Sequence, residues 1–362
     1  MVQYPIKVLL VEDSLIALEI LTRLLKSSSE VEIVGKASNG REALELIPIA
    51  KPAVICTDLH MKEMDGLAFT KHLMATDPRP ILIISNSVQK ENTQTIFQLL
   101  QAGAVDVFPK PNTGLASDYE QVRRELISKI KIMAGVTVFT KRQSTLNHIS
   151  NTTSACHSST AGQLMNMTSF TRVVAIGAST GGPQALHKIF SLLPANFPVP
   201  VICTQHISQG FLQGLIDWLG SECKLKVKIA QLGESPCAGT IYFAPERSHL
   251  ELDNMGRFNC SMTSPVDGHC PSITVLFKSV VKYYGRSTVG VLLTGMGKDG
   301  AAGMQAIARV GGMTIAQSEK SCVVFGMPKE AIALGAAQQI LPIQEIAPFL
   351  LSKIFRGAIA RG

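Results

Sequence analysis

Residues Val173–Leu186 read VVAIGASTGGPQAL. An apolar run stops abruptly at Gly-Ala-Ser-Thr-Gly-Gly, and a helical pattern follows at once. This is a strand–turn–helix unit, the repeat from which parallel α/β sheets are built. So sharp a turn lifts the Ser179 hydroxyl off the end of the sheet and leaves unpaired backbone N–H groups beside it. That suits a nucleophile, and it suits a phosphate ligand equally well. GASTG also fits the G-x-S-x-G nucleophile elbow, but glycine and serine are common in turns and the pattern decides nothing alone.

Further strand candidates around this unit are VPVICTQ, TIYFAP, TVGVLLTG and GMTIAQ. The strand after the serine turn runs into His206, and a later one leads through MGKDG to Asp299. Singly, such a histidine is ordinarily a packed or solvated residue, and such an aspartate a turn former. Together with Ser179 they all follow the carboxyl ends of apolar strands. If those strands lie parallel in one sheet, the three side chains meet over one edge. His206 can then deprotonate Ser179 while Asp299 orients the imidazole, whatever their order in the chain. N–H groups at the start of GGPQALHKIF, and the close backbone at TGMG, can hold an oxyanion. A rival reading takes Gly295–Gly300, GMGKDG, with Glu319 as a dinucleotide-binding turn. It leaves Ser179 and His206 idle.

Upstream, residues 6–134 alternate apolar runs (KVLLV, EIVGKA, AVICTD, ILIISN, AVDVFP) with amphipathic stretches such as LIALEILTRLLKS and QVRRELISKIKIM. Five such repeats predict a doubly wound parallel sheet. Strand ends deliver Glu12 and Asp13, Asp58, Ser85 and Lys110. Three carboxylates on one edge repel one another unless a divalent cation is present, and an oxygen-only set suits Mg²⁺. Asp58 can then accept a phosphoryl group, with Lys110 and Ser85 on its oxygens. Any one of these aspartates, taken singly, reads as a helix N-cap.

Residues 135–170, rich in Ser, Thr and Asn, read as a flexible linker between this unit and a second one at 171–362. The chain has 362 residues, enough for two cores, and 46% of them are hydrophobic, which excludes a mainly disordered protein. No apolar run reaches the ~18 residues of a membrane span. The start, MVQYPIKVLLVEDS, lacks the basic and long apolar regions of a secretion signal, so a cytoplasmic protein is expected. The eight cysteines form no C-x-x-C and read as small core residues of a reducing compartment. Residues 1–134 carry 15 Lys/Arg against 16 Asp/Glu, and the remainder 19 against 11. The basic second half reads first as a solvated basic face, with an acidic macromolecular substrate or nucleic acid as the alternative.

The acidic pair, acceptor aspartate, hydroxyl residue and Lys-Pro of the first unit, with DLHMKEMDG after the acceptor, resemble a response-regulator receiver domain. The resemblance implies a flavodoxin-like fold and adds the backbone carbonyl of His60 to the Mg²⁺ ligands. Lys62 stands where that family usually has proline, and Val107 falls where it has a switch aromatic. The second unit carries GASTGGPQAL, QHISQGF, IYFAPERSHL, PSITVLFKSV, GVLLTGMGKDGAAGM and TIAQSEKSCVVFGMP in order. These resemble the chemotaxis protein-glutamate methylesterase family, whose layout also places a receiver and a linker first. The resemblance implies a second doubly wound, mainly parallel domain with Ser179, His206 and Asp299 catalytic. Thr180 and the Met296 backbone would form the oxyanion site. It implies demethylation of glutamate methyl esters, and deamidation of glutamines, on methyl-accepting chemoreceptors. A chemotaxis histidine kinase would phosphorylate Asp58 with Mg²⁺, and ester hydrolysis would need no cofactor. Ser208-Gln209 stand where that family often has two prolines, and His249 and Ser272 lie in similar motifs without an assigned role. No nucleic-acid partner or membrane insertion is expected, since no helix-turn-helix or zinc motif follows the linker. A non-catalytic output module remains the alternative.

Overall fold

The computed structural model describes residues 5–85, 90–111, 116–136, 138 and 171–359. The expected linker, 135–170, lies outside the described residues except for 135, 136 and 138.

The first unit alternates strand and helix: β1 (Ile6–Val11), α1 (Leu15–Lys26), β2 (Val31–Ala37), α2 (Gly40–Ala50), β3 (Val54–Asp58), α3 (Gly66–Thr76), β4 (Ile81–Ser85), α4 (Lys90–Ala102), β5 (Asp106–Pro109) and α5 (Ala116–Ala134). Ser14, Asn39 and Asp65 cap α1, α2 and α3, each side chain accepting a first-turn N–H. The strands are parallel in the order β2-β1-β3-β4-β5. β3 and β4 are buried along their whole length, as strands covered by helices on both faces must be. The strand order reverses between β1 and β3, where a crevice forms at the carboxyl ends.

The second unit is built the same way: β6 (Val173–Ala178), α6 (Gly182–Phe190), β7 (Val201–Gln205), α7 (Leu212–Glu222), β8 (Lys226–Ile229), β9 (Thr240–Phe243), β10 (His249–Leu252), β11 (Phe258–Ser261), α8 (Ile273–Tyr284), β12 (Thr288–Leu292), α9 (Ala301–Arg309), β13 (Met313–Gln317), α10 (Met327–Ala333), β14 (Gln339–Leu341) and α11 (Ile343–Ile359). Seven strands run parallel in the order β14-β13-β12-β6-β7-β9-β8, and β10 pairs antiparallel with β11 as a separate hairpin. The order reverses between β6 and β12. Both units therefore have the doubly wound parallel architecture expected from the sequence, the first in flavodoxin-like order.

The two units pack together through α4 and α7. The Phe97 and Trp218 rings stack with centroids 4.9 Å apart and planes 6° from parallel. Such a pair contributes roughly 0.5–1.5 kcal/mol beyond its area burial, enough to favour docking but not to lock it. The Gln184 amide donates to the carbonyls of Ala104 (2.8 Å) and Leu100 (3.3 Å) across the same seam. The expectation of core cysteines needs correction. Cys56 and Cys203 are buried, Cys237 is exposed, and Cys223, Cys260, Cys270 and Cys322 are half-buried. All seven are free thiols. Cys237 lies in the irregular segment before β9, and Cys260, on the outlying hairpin, is only partly buried where it packs against the second unit's core.

Candidate active site

β12, β6 and β7 are neighbours in the second sheet, so their carboxyl ends meet. Ser179 follows β6 directly, with its N–H donating to the Thr294 carbonyl at 3.0 Å and its own carbonyl accepting from Gly182 at 2.7 Å. Gly181 takes a left-handed φ of +76°, and a Cβ on Gly295 would lie 2.6 Å from the Ser179 Cβ. The glycines thus let the chain reverse and let a second loop approach Ser179.

His206 follows β7, and its Nε2 lies 3.0 Å from Asp299 Oδ2. A carboxylate only accepts, so Nε2 carries the proton. Nδ1 is buried without a hydrogen-bond partner. Its lone pair is therefore free to act as a base. Asp299 is completely buried. Its Oδ2 accepts from Ile273 N (2.8 Å), and its Oδ1 from Ser272 Oγ (2.8 Å), Thr274 N (2.9 Å) and Gly300 N (2.8 Å). Three of these donors form the start of α8, where the helix dipole also favours negative charge. Burial by itself raises the Asp299 pKa, but the His206 ring and the Thr274 donors outweigh it and hold the carboxyl well below the ordinary range.

This cradle explains two residues that the sequence left without a role. Ser272 donates directly to Asp299. The Ser272 N–H donates to His249 Nδ1 at 3.1 Å, and His249 Nε2 lies 3.2 Å from the Ser264 carbonyl, fixing the histidine as its Nε2–H tautomer. His269, a lone histidine after Asp-Gly, carries no sequence signal of its own. Its ring stacks on His206 with centroids 3.9 Å apart.

Ser179 and His206 line one cleft of about 500 Å³, and no hydrogen bond joins them among the described residues. Such contacts commonly tighten only around a substrate. Thr180 and Met296 flank the serine turn, and neither N–H donates a hydrogen bond among the described residues. The rival dinucleotide reading fails on the same loop. The Gly300 N–H is committed to Asp299 and Thr274, with a carboxylate where a phosphate would have to approach.

In the first sheet Lys110 Nζ lies 2.9 Å from Asp58 Oδ2 and 2.9 Å from Glu12. Burial raises the Glu12 pKa above the usual carboxylate value, against the pull of Lys110. Burial would lower Lys110, but its hydrogen bonds to Glu12 and Asp58 raise it, so it stays charged. Glu12, Asp13 and Asp58 each place an oxygen within 4.8 Å of the others. Glu12 Oε2 is buried and lies 2.9 Å from Lys110 Nζ. Three carboxylates gathered this closely, with oxygen donors only, fit a hard divalent cation. Ser85 is buried at the end of β4, and its carbonyl accepts from Lys110 N at 2.9 Å. His60 is exposed two residues beyond Asp58.

The first unit covers the second unit's cleft. Asp106, Phe108, Lys129 and Ile132 form one wall, and Ser179, His206 and Ser208 the other. Ser208 Oγ donates to the Val107 carbonyl at 3.2 Å, and Lys129 Nζ lies 2.9 Å from the same carbonyl and 3.0 Å from Asp106.

Two protein families match the chain: the response regulator receiver domain over residues 8–116 and the CheB methylesterase over residues 174–350. Similar along nearly the whole length is the protein-glutamate methylesterase/protein-glutamine glutaminase of Nitrosospira multiformis, 39% identical over 96% of this chain and 97% of that one. A relative of the same description from Syntrophus aciditrophicus is 40% identical over 96% and 97%. The crystal structure of the Thermotoga maritima CheB methylesterase catalytic domain is 37% identical, covers 50% of this chain and 98% of its own, and superposes with a TM-score of 0.49. With such likeness spanning both sheets, this chain belongs to the protein-glutamate methylesterase/protein-glutamine glutaminase family of receiver-linked CheB enzymes.

Proposed function

We propose that the chain is a phosphorylation-regulated serine hydrolase that demethylates glutamate γ-methyl esters on methyl-accepting chemoreceptors, releasing methanol, and deamidates glutamines there. The observation that carries this reading is the free, buried Nδ1 of His206, with Nε2 anchored on Asp299, in the cleft that holds Ser179. Ser179 Oγ attacks the ester carbonyl carbon and gives its proton to His206 Nδ1. The N–H groups of Thr180 and Met296 receive the oxyanion. Collapse breaks the bond to the methoxy group, which leaves as methanol with the proton from His206. Water then attacks the acyl-enzyme, with His206 again the base, freeing a glutamate carboxylate and Ser179. With glutamine, ammonia leaves in place of methanol.

Residues 1–134 act as the receiver and 171–362 as the catalytic domain, joined by the linker 135–170. Asp58 is the phosphoacceptor for a chemotaxis histidine kinase, and Ser85 and Lys110 hold the phosphoryl oxygens. Glu12, Asp13, Asp58 and the His60 carbonyl would hold Mg²⁺, which supplies charge neutralisation for phosphoryl transfer. Lys110 already neutralises Asp58 at rest. The resting receiver hinders access to Ser179, and phosphorylation shifts the population toward an open arrangement. The protein works in the cytoplasm, and no helix among the described residues is long and apolar enough to cross a membrane. Methanol release from methylated receptor membranes tests the reading. The rate should rise on adding a small phosphodonor with Mg²⁺, and an Asp58→Asn chain should show no rise. Absence of methanol release under both conditions would refute it.

A further inference from the structure

We infer that His269 is a positioning residue for the general base, its ring forming the plate against which the His206 imidazole is held; this rests on the hydrolase reading above. The need for such a plate follows from the hydrogen bonds. His206 is anchored through one ring atom, Nε2, because Nδ1 has to stay free for the serine proton. A ring held at one edge can swing about that bond, and each swing carries Nδ1 away from the line to Ser179. The His269 ring lies 3.9 Å away and 3° from parallel, so it blocks that motion on one face.

The support is itself built firmly. His269 closes a tight turn in which Asp267 and Gly268 take φ values of +51° and +81°, the left-handed pair of a type I′ turn. Val266 and His269 exchange both backbone hydrogen bonds at 3.0 Å each. The His269 Nδ1–H donates to the Asp267 carbonyl at 2.9 Å, which fixes the ring plane.

The stack also suits the chemistry. His206 becomes a cation when it takes the serine proton, and a neutral aromatic face stabilises a cation laid over it. A second cation would repel it. Burial, followed by the His206 charge, lowers the His269 pKa, against the opposing pull of Asp299 and Asp267. Lys298 also faces this turn, 3.4 Å from Asp267, and Asp106, Arg124, Glu125 and Lys129 line the same cleft. His269 is therefore neutral at neutral pH.

The test is steady-state kinetics of the full-length chain on methylated receptor membranes, with phosphodonor and Mg²⁺ present. His269→Ala removes the plate and should lower kcat by on the order of 10²-fold, as small misplacements of a reacting group do. KM should stay within about twofold, because the ring is assigned no substrate contact. His269→Phe keeps a flat ring, and the backbone bonds of the turn do not depend on the side chain. It should recover at least about a tenth of the wild-type kcat. Near-normal kcat in His269→Ala overturns the inference, as does His269→Phe as slow as His269→Ala, or a loss appearing in KM alone. His206→Ala serves as the reference: if it is as active as wild type, the hydrolase reading itself has failed rather than the role of His269.

Discussion

Among single residues, Asp299 carries the heaviest load. One buried carboxylate fixes the His206 tautomer and closes the start of α8. Its low pKa has a consequence for stability. A depressed folded-state value adds stability above the unfolded value, which is lost as pH falls through the folded one. Asp299→Asn should therefore destabilise the fold most near neutral pH, and the difference from wild type should shrink below about pH 4, where unfolded aspartates protonate. Urea melts between pH 3 and 7 check this, and a difference independent of pH would count against it. Turnover should fall by ~10⁴-fold, because an amide at this position offers an N–H where His206 needs an acceptor.

At the scale of elements, the legible parts were those written locally. Buried parallel strands appear as apolar runs, and Ser14, Asn39 and Asp65 mark helix starts. The Ser179 turn is legible because its glycines are adjacent in sequence. β8, β14 and the β10–β11 hairpin carried no such signal: they are three or four residues long, and β8 and β14 lie at sheet edges. The cradle of Asp299 was illegible for another reason. Ser272 lies 27 residues away, and only the packing of α8 brings its hydroxyl to the carboxylate. His269 was hidden likewise, since nothing in Val-Asp-Gly-His says which ring it will face. The resemblance, not the residue pattern, supplied Thr180 and Met296, whose part would be played by backbone groups that any side chain can carry.

The whole molecule sets the chemistry under a second domain. Ser208, two residues past His206, meets β5, the strand that leads into Lys110. The Lys110 end of the receiver and the mouth of the cleft are thus connected through one short strand. No sequence signal marks this seam, because each side reads as an ordinary surface. It does carry its own reporter. Trp218 is the single tryptophan of the chain and stacks on Phe97 of the receiver. If phosphorylation opens the seam, phosphodonor with Mg²⁺ should red-shift the Trp218 emission and increase acrylamide quenching. An Asp58→Asn chain should show neither change. Unchanged fluorescence alongside an increased methanol rate would mean that activation proceeds without undocking α4 from α7. The central claim remains that Ser179 forms the acyl bond. The most direct measurement is methanol release from methylated receptor membranes by full-length wild type and Ser179→Ala, both with phosphodonor and at equal concentrations of folded protein. The account predicts a fall of ~10³-fold or more, and near-normal release by Ser179→Ala would contradict it.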